Sequence, residues 1–225
     1  MVIRWENVDD LEDYFITYLL YADSFTVPQI SRIRNMTEES VNKDLILAKT
    51  RLREIRKSSD TQKSDVIEKY LSLSKEERLD FIKEVPKNEL ESFKMKIYKS
   101  ILKTDNAEDL MVLVWTVGEL KDDRFLNIIY PLLDKSHSNL RRISYSALGK
   151  IGNSDSCRYI EMGLSDSNPQ IRQYCAKYLG KIGTRNSLRI LENVIKNKSD
   201  FEKEYVLRAC DESIIKLKQK FGISK

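Results

Sequence analysis

The sequence predicts an all-α fold in which stacked helix pairs form a short solenoid behind a small trihelical head. Three observations predict it. Gly118, Gly149 and Gly180 lie 31 residues apart, each near the end of an apolar-periodic segment: VWTVGEL at 114–120, YSALGKI at 145–151 and AKYLGKI at 176–182. A fixed period in this range marks units that bury their apolar faces only by stacking on neighbours. Only seven glycines and four prolines interrupt 225 residues, which suits long helices with short turns. Apolar side chains upstream of the glycines also recur at helical spacing.

Residues 1–57 form the head. Leu11, Tyr14, Phe15, Tyr18 and Leu19 mark a first helix. Thr26 with Gln29 reads as a capping box that opens a second helix through Ile30 and Ile33. Thr37 caps a third, with Val41, Leu45, Ala48 and Leu52 on one face. The second and third helices have the spacing of a helix-turn-helix. The run SVNKDLILAKTRL at 40–52 resembles the last helix of that motif in sigma factors and response regulators, over about 40 residues. A reading helix offers Arg, Lys, Asn or Gln to base edges. Here the start offers Glu38, Glu39, Asn42 and Lys43. Asn42, Lys43 and Arg51 are the candidate DNA contacts, with Arg53, Arg56 and Lys57 able to grip a backbone from the far end. The segment carries a net charge of −1. A packing or dimerisation module is the competing reading.

Residues 58–105 read as irregular helices capping the array. Three helices are expected over 64–104. Ser74 and Glu77 form a capping box. Leu79, Phe81 and Ile82, then Leu90, Phe93, Ile97 and Ile101, keep helical spacing.

The repeats occupy 106–225. Three units, 106–136, 137–167 and 168–198, align on the glycine. A fourth, 199–225, has Asp211 in its place and reads as a degenerate cap. Each unit pairs a glycine helix with a second helix, expected at 124–133, 156–164 and 186–195. The phase-locked glycine fits a helix end that needs a left-handed residue. Asn168 followed by Pro169 fits a helix start.

The pattern at 140–151 and 171–182 resembles HEAT-like repeats of the kind also found in phycobilisome lyases. Residues 109–120 match in the second half only, with Leu110 where an arginine is usual. The resemblance covers about half the chain. It implies a right-handed superhelix of helix pairs and an interaction scaffold. It also implies that Arg141 and Arg172 tie neighbouring repeats together, with Asp134 and Asp166 as the expected partners. The concave face would be lined by Met111, Val112, Trp115 and Glu119; by Arg142, Ile143, Ser146 and Lys150; by Gln173, Tyr174, Lys177 and Lys181; and by Tyr205, Arg208 and Glu212. Aromatics interleaved with Lys and Arg suit nucleic acid or an acidic peptide.

Charge sharpens that expectation. Residues 58–136 carry −3 and residues 137–225 carry +8, within a whole-chain +4. Such asymmetry favours an anionic partner for the C-terminal repeats, against the competing reading of a solvated Lys-rich surface. The expected partner is a protein or another acidic macromolecule, with nucleic acid as the alternative. No run approaches 18 apolar residues, so no membrane partner is expected. The N-terminal residues are too acidic for a signal peptide, and Cys157, Cys175 and Cys210 form no CxxC pair, so the cytoplasm is the expected compartment.

Catalytic signatures are sparse. The single histidine, His137, is expected in a solvated turn at a repeat junction. No phosphate loop, dinucleotide fingerprint or HExxH occurs, and no cofactor or metal is expected. One enzyme reading remains: some DNA glycosylases are HEAT-repeat arrays, and Trp115, Glu119 and Arg142 have spacing compatible with their tryptophan, carboxylate and arginine. The leading expectation is a non-enzymatic scaffold. A DNA-associated regulator using head and groove comes second.

Overall fold

The computed structural model describes residues 3–58, 66–198 and 201–223, without the side chains at 56–58 and 198. The expected backbone grip by Arg56 and Lys57 therefore lies outside the described side chains. The described residues are helical, with no strand among them. The chain divides into two compact units, 1–113 and 114–225.

In the first unit α1 (Asp13–Ala22), α2 (Val27–Arg34) and α3 (Glu38–Ser58) form the head, as the caps and periodicity predict. Phe15, Tyr18, Ala22 and Ala48 make its core, flanked by Leu11, Tyr14, Leu52 and Ile55. The backbone N–H of Thr26 donates to Gln29 Oε1 (2.8 Å), and Ser40 N–H donates to Thr37 Oγ1 (3.1 Å). Arg34 locks the three helices. It donates to the Asp13 carbonyl (2.8 Å) and to Thr17, while Thr17 Oγ1 donates to Asp44 (2.8 Å).

The three expected upstream helices are α4 (Val66–Ser72), α5 (Lys75–Glu84) and α6 (Lys87–Lys103). The Ser74–Glu77 capping box forms in both directions, at 2.6 and 3.2 Å. Tyr70, Phe81 and Phe93 join the helices through ring contacts of 5.2–5.3 Å between centroids. Edge-on and tilted aromatic packing of this kind adds stability beyond area burial alone. The division between units falls within α7 (Ala107–Leu120).

In the second unit the glycine helices are the end of α7, then α9 (Ser138–Ile151) and α11 (Pro169–Ile182). Between them lie α8 (Leu126–Ile129) and α10 (Cys157–Met162), each flanked by 3-10 turns, and after them α12 (Arg185–Lys198) and α13 (Glu204–Phe221). The second helices keep the 31-residue period in their caps. Asp122 accepts from Arg124 N–H (3.1 Å), Asn153 from Asp155 N–H (2.7 Å) and Thr184 from Asn186 N–H (3.2 Å). Asn168 caps α11 as expected, accepting from Gln170 N–H at 2.9 Å.

The phase-locked glycines require a correction. Gly118, Gly149 and Gly180 sit inside α7, α9 and α11, two residues before each helix ends, and none has positive φ. The left-handed turn falls three residues later, at Lys121 (φ 51°) and Gly152 (φ 74°). The phase-locked glycines serve close helix approach. A Cβ on Gly118 would lie 2.9 Å from Ala147 Cα, and one on Gly180 would lie 2.6 Å from Ser213 Oγ. At Gly149 it would fall inside the Tyr178 ring.

These contacts also correct the fourth unit. Gly118 meets Ala147 and Gly149 meets Tyr178, each 29 residues on, whereas Gly180 meets Ser213, 33 residues on. Helix α13 is thus one helical turn out of register with the earlier repeats. Asp211 is exposed and does not occupy a glycine-equivalent contact.

Candidate functional site

The face between successive glycine helices is built from two positions of each repeat. One directly follows the glycine: Glu119, Lys150, Lys181. The other precedes it by three residues: Trp115, Ser146, Lys177. These are one turn apart and share a side of the helix. Contacts between α7 and α9 confirm the pairing. Lys150 Nζ forms an ion pair with Glu119 and lies 5.7 Å from the Trp115 ring centroid. A cation over the indole face gains from the ring quadrupole.

The next pair of helices continues the face differently. Ser146 and the Tyr178 hydroxyl lie 3.4 Å apart, and burial raises the Tyr178 phenol above its ordinary value. Tyr178 was not among the sequence candidates. Its ring fills the space that Gly149 leaves open. Tyr174 and Arg142 are half-buried, while Lys177 and Lys181 are exposed. On α13, Tyr205 is exposed, and Arg208 is exposed and donates to Glu204 one turn earlier (2.7 Å). The face therefore runs from a neutralised Glu119–Lys150 pair beside tryptophan to two exposed lysines.

Of the two acids expected to partner Arg141 and Arg172, Asp166 does so, and Glu202 stands in place of Asp134. Arg141 donates through Nε and Nη2 to both Asp166 carboxylate oxygens (2.8 and 3.0 Å), and through Nη1 to the Lys135 and Ser136 carbonyls (2.8 and 2.9 Å). Arg172 pairs in the same forked way with Glu202 (2.6 Å twice) and donates to the Asp166 and Ser167 carbonyls. Each arginine holds the turn preceding its helix and an acidic side chain further along the chain, rather than the preceding acid. A guanidinium suits this because its fork serves carbonyls and a carboxylate at once. Burial by itself would raise Asp166. The Arg141 hydrogen bond and the Asn168 N–H outweigh it and hold the carboxyl below its ordinary value.

His137 also departs from expectation. It is buried, 2% exposed, and caps α9 with Nδ1 accepting from Leu140 N–H (3.3 Å). The three cysteines are buried and form no disulfide. Burial pushes the Cys157 and Cys175 thiols up, the latter far up, which makes them poor nucleophiles. No cluster of three or more metal-ligating side chains occurs among the described residues.

In the head, Asn42, Lys43 and Arg51 are exposed. Lys43 is paired with Glu39 (2.8 Å) and Arg51 with Glu54 (2.8 Å). The same stretch of α3 exposes Ile46 (67%) and Leu47 (51%).

Comparison with known proteins agrees with this geometry. Residues 132–209 match the family model described as HEAT repeats. The match covers α9 to α12 and the start of α13, with Arg141, Arg172, Gly149 and Gly180 inside it. No curated protein matches the chain. Residues 132–209 thus carry HEAT-like repeats within an all-α fold. No described helix is long and apolar enough to cross a membrane.

Proposed function

We propose that this protein is a non-enzymatic interaction scaffold that holds an acidic protein segment on its glycine-helix face. HEAT repeats generally mediate protein interactions, and residues 132–209 match that family. The observation that carries the reading is the change along one row. Glu119 and Lys150 neutralise each other, whereas Lys177 and Lys181 are exposed on the matched positions of α11. Tyr174 and Tyr205, on α11 and α13, add amphipathic contact area. Aromatic and cationic side chains together suit carboxylate-rich peptides.

Fluorescence titration with an oligoglutamate peptide, and with a DNA duplex of matched charge, tests this at two salt concentrations. The peptide is expected to bind the full chain, and Lys177→Glu with Lys181→Glu to weaken it at least tenfold. Unchanged peptide binding by the double variant overturns the assignment of the face. Tight duplex binding without peptide binding, steep in salt, replaces it with the DNA-associated reading.

A further inference from the structure

A second site lies within the first unit. A cleft open to solvent is lined by side chains from α1, α3, α4, α5 and α7, among them Tyr18, Lys49, Arg53, Arg78, Glu108 and Asp109. Asn106 Oδ1 accepts from the N–H groups of Glu108 (2.9 Å) and Asp109 (3.1 Å), and its amide donates to the Tyr18 hydroxyl (3.3 Å). Lys49 is engaged by Glu108 at 2.9 Å and lies 4.8 Å from the Tyr21 ring centroid.

Arg78 is different. It is only 7% exposed, yet its Nε has no hydrogen-bond partner. A buried guanidinium is ordinarily retained only where its donors are satisfied, because desolvating the charge is costly. Burial pushes Arg78 below its ordinary value, and the like charge of Arg53 acts in the same direction. The carboxylates of Asp109 and Glu108 act against this shift, and Glu108 is also paired with Lys49. The formal charge of the lining side chains is one positive in excess, three cations against two carboxylates.

We infer that this cleft binds a single oxyanion, a carboxylate or phosphate group, with the Arg78 guanidinium as its main donor and Arg53 at the rim. A guanidinium fork matches either oxyanion. The excess positive charge equals what one monoanionic group neutralises. The site is separate from the acidic-peptide reading of the repeats and stands or falls independently of it.

Thermal melts of the full chain in phosphate, acetate or chloride at matched ionic strength test it. Phosphate or acetate is expected to raise Tm above chloride by about 3 °C once the anion exceeds its Kd several-fold. The larger response identifies which oxyanion the cleft prefers. Arg78→Met is expected to abolish the anion-dependent rise, since it removes the guanidinium fork. Arg53→Gln is expected to leave Tm in chloride unchanged and to weaken the anion response several-fold. Absence of a rise in the unaltered chain, or an equal rise in Arg78→Met, overturns the site. Should Arg78→Met fail to fold, an undiminished response in Arg53→Gln overturns it.

Discussion

The α-carbon of Gly149 faces the ring of Tyr178 so closely that a Cβ there would lie 2.1 Å from Cδ2. The ring crosses the glycine and its hydroxyl reaches Ser146. Tyrosine and glycine are one knob and one hole shared by consecutive repeats.

Gly149→Ala is expected to cost about 1–3 kcal/mol, as overpacking does in cores. The clash is with a ring, so Tyr178→Ala in the same chain should recover much of the loss attributable to it. Urea unfolding of the two single variants and the double variant measures the coupling. Simple additivity would show that the two residues do not share this space. Gly118→Ala meets a less severe contact and should cost less.

Arg141→Ala is expected to destabilise by about 3–5 kcal/mol, because it strands the nearly buried Asp166 carboxylate and releases two carbonyls. Binding by the folded fraction should persist. Lost binding at unchanged stability would assign Arg141 to ligand contact.

Acid should reveal the same pair. The folded Asp166 carboxyl titrates below its ordinary 3.8. Its contribution is therefore full above that value and is lost as pH falls through the depressed folded value. The stability gap between the unaltered chain and Asp166→Asn should be wide at neutral pH and narrow in acid. A gap independent of pH would count against a stabilising ionised carboxylate.

His137→Ala should cost at least about 1 kcal/mol, the usual loss for a helix cap, while His137→Asn should retain much of the stability. Denaturation midpoints compare them. Equal midpoints for Ala, Asn and the native histidine would remove the cap from the account.

Much of the fold was legible because local signals agreed. The Ser74, Thr37 and Asn168 caps form where the residues sit, and the three head helices follow their apolar spacing. The glycine period was read correctly as a repeat and wrongly as a turn. Gly152 and Gly183, themselves 31 residues apart, were the signal for the turn, and Gly152 adopts the left-handed conformation. The site was less legible. Lys150 was read as a free groove cation, but Glu119, 31 residues earlier, neutralises it. Lys150→Glu should therefore harm stability, unlike reversal of Lys177 and Lys181. Partner choice for Arg141 and Arg172 depends on how the turns fold back, which a charge pattern does not encode. Nothing in the sequence sets Arg78 apart from the other charges of α5, and only the packing of several helices buries it.

The three buried thiols make the chain its own clock. Cys157, Cys175 and Cys210 lie on α10, α11 and α13. An alkylating reagent reaches each only when its own helix opens. In an array whose units touch mainly their neighbours, opening need not be simultaneous. The rates at which the native thiols are consumed, resolved by peptide mass, would give the order in which the repeats come apart without a single introduced label.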